Sequence, residues 1–94
     1  MADWIEHFER EIGRFFDGET RLPGPDEPDA RQKQLTRMGN AAWAAGLAVL
    51  MLGRREEARE WLIRAAETYR ELAGSATRKL GSADRRDEVT ADRR

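Results

Sequence analysis

The chain has 94 residues and no cysteine, so it can form one small domain, without disulfides or thiolate metal sites. Its 17 lysines and arginines nearly balance 18 aspartates and glutamates, and this net charge of -1 excludes a general attraction to nucleic acid or anionic membrane. With 39% hydrophobic residues the chain can fold, but a domain this small has a thin margin of stability, and we expect it to associate with another chain.

The N-terminal segment MADWIEHFER is acidic and amphipathic, unlike the basic and then uniformly apolar pattern of a signal peptide. Residues 1–30 have a net charge of -6 and residues 31–94 a net charge of +5, an asymmetry that could steer the N-terminal segment onto the rest of the molecule or onto a second copy. The absence of cysteine suits a reducing compartment, and we expect a cytoplasmic protein.

The first predicted helix spans residues 3–17. Asp3 followed by Glu6 has the form of a helix start, because the aspartate caps the helix and the glutamate reaches back to it. Gly18 is a natural stop. The helix has a broad apolar face, made of Trp4, Ile5, Phe8, Ile12, Phe15 and Phe16.

The second predicted helix spans residues 27–52, after a loop rich in proline and glycine, with Asp26 as its predicted cap. It contains an uninterrupted apolar run of twelve residues, AAWAAGLAVLML, whereas a membrane span needs about 20. A run of this length is typical of a buried helix. Gly53 breaks the run.

The third predicted helix spans residues 55–73 and stops at Gly74. The short connection between the second and third helices forces an antiparallel hairpin. We expect one helical domain over residues 1–81 and a charged, mobile tail over residues 82–94.

Twelve consecutive apolar residues coat the whole circumference of a helix, so one neighbouring helix cannot cover them. One side carries small residues, Ala42, Ala45, Gly46 and Val49, which permit close approach by the third helix. The other side carries the large residues Trp43, Leu47, Leu50 and Met51. We expect that side to be covered by the aromatic first helix, through Trp4, Phe8, Ile12 and Phe15, from the same chain or from a second subunit.

The hairpin over residues 39–72 resembles a tetratricopeptide repeat. With Gly39 as the first repeat position, the matching residues are Gly46, Leu52, Gly53, Ala58, Leu62 and Ala65. Three positions depart from the family pattern: Trp43 is shifted by one, Val49 replaces a tyrosine, and Arg70 replaces a proline. In that family the first helix of a repeat lines a peptide-binding groove, which implies groove positions at Asn40, Trp43, Leu47, Leu50 and Met51. A single repeat cannot bury its own faces, so we expect the groove to be filled by the first helix or a twin subunit.

Catalytic and metal sites are not indicated. Asp3, His7 and Glu11 share one helix face, but three ligands on one straight helix cannot surround a metal ion. His7 is the only histidine, and no serine or cysteine nucleophile lies at a plausible position beside it. We expect neither an enzyme nor a cofactor.

The sequence therefore predicts an all-α, three-helix antiparallel array that acts as a non-catalytic module for protein–protein interaction or oligomerisation. Self-association is the expected contact, with a further protein or peptide as a possible partner, and neither nucleic acid nor membrane is expected to bind. The residues predicted to carry the contact are Trp4, Phe8, Phe15, Asn40, Trp43, Leu47, Leu50 and Met51. The alternative is a binder of a small apolar ligand or peptide, in a cavity between helices 1 and 2.

Overall fold

The structure, a computed structural model, describes the backbone of residues 3–92 and the side chains of residues 3–77. The protein is all-α, with helices α1 (Trp4–Thr20), α2 (Pro28–Met51) and α3 (Arg55–Asp92) and no strand in the described backbone. The predicted three-helix array is confirmed. Helix α2 is central, because both other helices pack against it.

Helix α1 begins as predicted. The Asp3 carboxylate accepts a hydrogen bond from the Glu6 N–H at 3.1 Å, which satisfies one of the free donors of the first turn. The predicted stop at Gly18 is wrong, since the helix continues to Thr20. Gly18 is buried instead, and a Cβ there would lie 2.7 Å from Cγ of Met38, so this glycine lets α1 approach α2.

Helix α2 begins with Pro28 in its first turn, where a missing N–H costs no hydrogen bond. The residue before it, Glu27, occupies the cap position, so the predicted cap at Asp26 is wrong. The helix ends at Met51, and Gly53, two residues further on, turns the chain with a φ of +79°, the left-handed conformation that glycine adopts without strain. The N–H of Arg54 returns to the Val49 carbonyl at 3.2 Å, and α3 starts at once.

Helix α3 continues to Asp92, so the predicted end at residue 73 is corrected. A glycine stops a helix when it turns left-handed, and Gly53 is the one described residue with a positive φ. No proline follows Gly74, and the sequence beyond it contains many strong helix formers. The mobility predicted for residues 82–94 concerns side chains that lie outside the described residues.

Helices α2 and α3 approach each other closely at two glycines of α2, as the small residues of this side predicted. A Cβ at Gly46 would lie 2.7 Å from Cδ2 of Leu62, and one at Gly39 would lie 2.5 Å from Cε1 of Tyr69. Two large side chains of α3 therefore rest directly on the α2 backbone. Such close packing gains dispersion energy and excludes water along the whole contact.

Helices α1 and α3 meet through an aromatic cluster made of Phe8, Phe15, Phe16 and Trp61. The Trp61 ring makes edge-to-face contacts with all three phenylalanines, at centroid distances of 6.2, 5.4 and 5.7 Å. The Arg64 guanidinium lies 4.8 Å above the Trp61 ring centre. The two outer helices thus lie on adjoining sides of α2, not on opposite sides.

Candidate functional site

The large side of α2 is open to solvent. Trp43, Leu47, Leu50 and Met51, the residues that we call the open face, are 48%, 40%, 44% and 62% exposed. Of the two covers expected for this side, α1 of the same chain supplies only a partial one, through Trp4 and His7. The three phenylalanines of α1, Phe8, Phe15 and Phe16, instead contact Trp61 of α3.

The start of α1 forms one wall beside the open face. Trp4 and His7 lie opposite the C-terminal half of α2 and enclose a cleft of about 370 Å³. The cleft is floored by α2, and its lining is apolar apart from His7. The α2 residues of the lining are Trp43, Ala44, Leu47, Ala48, Leu50 and Met51.

The eight predicted contact residues divide into three groups. Trp4 joins the four residues of the open face around the cleft. Phe8 and Phe15 belong to the aromatic cluster, and Phe15 is buried at 4% exposure, which places both away from the open face. Asn40 is exposed and accepts a hydrogen bond from the Tyr69 hydroxyl at 2.7 Å, which ties it to α3.

Sequence reasoning missed three residues of the cleft: His7, Ala44 and Ala48. His7 lies three residues after Trp4 and therefore on nearly the same side of α1, a signal that could have placed it beside the indole. The two rings are in edge contact at a centroid distance of 6.1 Å. The two alanines leave room where a larger residue would fill the cleft.

Asp3 and Glu11, the two acids on the face considered for a metal, have structural partners. Asp3 caps the helix, and the Glu11 carboxylate, though nearly buried, accepts a hydrogen bond from Arg14 at 2.8 Å. Within the side chains that the structure describes, no group of three acidic or histidine residues is placed to hold a metal ion.

A second hollow of about 440 Å³ lies between α1 and α2 near Gly18, and most of the residues that line it are polar or charged. The Gln34 amide crosses it to donate to the Gly18 carbonyl at 3.1 Å, and the Asp17 carboxylate pairs with Arg21 at 3.3 Å. The Gln34 hydrogen bond joins α2 to α1, and the Asp17–Arg21 pair lies at the end of α1, so both have structural roles and the apolar cleft is the better candidate for binding.

None of the helical stretches in the described part of the chain has the combined length and apolar content that crossing a bilayer requires. Comparisons of the chain with protein-family models, with curated proteins and with solved structures find no match. The assignment of a function consequently depends on the open face and its cleft.

Proposed function

We propose that the chain is a non-catalytic oligomerisation module of the cytoplasm that pairs with a second copy through the open face of α2. One observation carries the proposal: four large apolar side chains, each at least 40% exposed, lie together on the C-terminal half of one helix. Contiguous apolar surface of several hundred Å² on a small monomer usually marks an interaction site.

The packing of α1 favours a second copy as the cover. The sequence admits two covers for this face, the first helix of the same chain or a second subunit. The middle of the first helix is held against α3 by the contact of Phe15 with Trp61, and only Trp4 and His7 reach the open face, so we expect the remaining cover to come from outside the chain. Association then supplies the apolar burial that a 94-residue chain lacks.

The contacts of the α2–α3 hairpin support a tetratricopeptide-like packing. Gly46, at the position of the small residue in the repeat, lies against Leu62, and the implied groove positions from Asn40 to Met51 are exposed. We propose that the groove side of this single hairpin is used for pairing, since one repeat has no neighbour to stack on.

Sedimentation equilibrium of the full chain over a range of concentrations tests the proposal. The wild type should show a reversible monomer–dimer equilibrium. Leu50→Asp should raise the dissociation constant at least about tenfold, because a charge would have to be desolvated in the contact. The matched control is Ile63→Asp on α3, which has similar exposure, 47% against 44%, but does not line the cleft.

Two results would contradict the proposal. If the wild-type chain stays monomeric up to the highest soluble concentration, the open face does not mediate pairing. A dimer that Leu50→Asp leaves intact, or that Ile63→Asp disrupts equally, uses another surface.

The volume and lining of the cleft favour one alternative, a binder of small apolar molecules. About 370 Å³ of apolar space lies within the range of small-ligand sites. The melting temperature separates the two functions, because anything that binds only the folded state raises it by mass action. A ligand site predicts a rise with added anilinonaphthalene sulfonate, whereas pairing predicts a rise with protein concentration alone.

A further inference from the structure

One side chain of the protein ordinarily changes its charge close to neutral pH. The chain contains a single histidine and no cysteine, whereas carboxylates titrate near pH 4 and the other ionisable side chains at about pH 10 or above. That histidine, His7, is half-buried in the wall of the apolar cleft. Among the described residues that line the cleft, it is the one that can ionise.

Building on the proposed function, we infer that His7 makes pairing through the open face sensitive to pH, and that its protonation separates the two copies. In the free chain, water reaches the cleft and hydrates a charged imidazole. In the pair, apolar side chains of the second copy exclude that water, and the open face carries no carboxylate that could replace it. The second copy therefore binds the neutral form better, and pairing weakens as the pH falls.

The charged groups near the imidazole already have partners. On α1, Asp3 and Glu11 stand four residues before and after it; the first caps the helix and the second accepts a hydrogen bond from Arg14. Glu6 pairs with Arg10 at 3.6 Å. The α2 residues of the lining are apolar throughout, and no described residue of α3 lines the cleft. Within the described side chains, none of the ion pairs includes the imidazole.

Contact with Trp4 holds the imidazole in the wall of the cleft. The two rings meet edge to face at a centroid distance of 6.1 Å, with 76° between their planes. The backbone is fixed as well, because the His7 N–H donates to the Asp3 carbonyl at 3.0 Å in the first turn of α1. In a filled cleft, a protonated ring therefore regains water only by breaking the contact with Trp4 or by moving the start of the helix.

The titration of an ordinary imidazole limits the size of the effect. With a midpoint near pH 6.5, the neutral fraction falls from about three quarters at pH 7.0 to about one eleventh at pH 5.5. If the neutral form alone pairs well, the dissociation constant rises as this fraction falls, by up to about eightfold for each cleft that the pair fills. Pairing is thus strongest above the range in which imidazole titrates and is lost as the pH falls through it.

Sedimentation equilibrium of the full chain at two pH values tests the inference. For the wild type, the dissociation constant at about pH 5.5 should exceed that at about pH 7.0 by at least about fivefold. His7→Gln and His7→Leu are neutral at both values, so the ratio of their two constants should lie near one. Carboxylates stay mostly ionised over this range, and any effect that they contribute is shared by all three proteins.

The outcomes separate the pH dependence from the proposed function. A wild-type dimer that is equally tight at both pH values, or tighter at the lower one, overturns the inference but leaves self-association standing. The same pH dependence in the wild type and in both neutral variants assigns the effect to other groups and also overturns the inference. A monomer at every concentration and at both pH values overturns the inference and the proposed function together.

Discussion

The two faces of α2 are built from the same kind of residue and have opposite roles. On the sealed face Ala42, Ala45 and Val49 are fully buried, and Gly39 and Gly46 lie directly under side chains of α3. On the open face the residues are larger, and each is 40% exposed or more. The larger apolar side chains of this helix segment are thus the ones in contact with water.

Within residues 39–51 the apolar residues that pack inside the chain are the smaller ones, whereas in the N-terminal half of α2 the large Leu35 and Met38 are buried. Small residues let a neighbouring backbone come close and form many contacts, and α2 uses them against α3. Large residues on one helix need a cavity to fill, and the rest of this chain offers them only a partial wall at Trp4. A change on the sealed face should therefore lower the stability of the fold, and one on the open face should weaken association.

The largest predicted effect separates two neighbouring residues, Val49 and Leu50. Val49 is fully buried, so Val49→Asp places an unpaired carboxylate in the core and should cost more than about 4 kcal/mol, enough to unfold a domain of this size. Leu50→Asp should lower the free energy of unfolding of the monomer by only about 1–2 kcal/mol, because aspartate is a weaker helix former and its charge lies near the C-terminal end of α2. Helical circular dichroism during urea titration measures both, and equal losses would remove the distinction between the faces.

The next effect concerns the close approach at Gly46. Gly46→Ala places a methyl group 2.7 Å from a Leu62 carbon, so the Leu62 side chain or the hairpin has to shift, and the free energy of unfolding should fall by about 1–3 kcal/mol. Urea denaturation measures this loss. An unchanged midpoint would mean that the sealed face is loosely packed.

A smaller effect is expected at the edge of the cleft. Asp3→Ala removes the cap of α1 and should lower the free energy of unfolding by about 1 kcal/mol. Because Trp4 is the first residue of the helix, fraying there should also loosen the wall of the cleft. Asp3→Asn keeps a capping oxygen and serves as the control, and thermal melts compare the two. Equal losses in both variants would point to charge instead of capping.

The smallest effect has the opposite sign. Gly13 lies in the interior of α1, and a Cβ there would meet nothing within 4 Å. Gly13→Ala should raise the free energy of unfolding by about 0.5–1 kcal/mol, because alanine loses less backbone entropy on folding. The same substitution at Gly13 and at Gly46 therefore isolates the contribution of packing. A loss at Gly13 would show a contact that the described side chains lack.

Local signals predicted much of the fold. The cap at Asp3, the break at Gly53 and the small residues around Gly46 depend on neighbours in sequence or on helical period, and the structure bears them out. The sequence pattern misassigns Gly18 as a helix stop, because glycine is used both to end a helix and to let a neighbouring helix approach closely. Only the position of Met38 in the folded chain distinguishes the two.

The site was harder to predict than the fold. The period of α2 identifies Trp43 and Leu47 as one face, and their grouping in the cleft agrees with it. It does not say which face the aromatic first helix prefers. That choice depends on Trp61 of α3. Its ring contacts three phenylalanines of α1, which therefore pack against α3 and not against the open face.

Fluorine NMR of the full chain labelled with 5-fluorotryptophan tests the central claim most directly, because Trp4 and Trp43 line the cleft whereas Trp61 lies in the aromatic cluster. Trp43→Phe assigns the resonance of the open face, and Trp61 reports on the aromatic cluster. On dilution through the dimer dissociation we expect the Trp43 resonance to shift while that of Trp61 stays fixed. A Trp43 resonance that does not change while the particle mass halves would contradict the assignment of the open face as the contact surface.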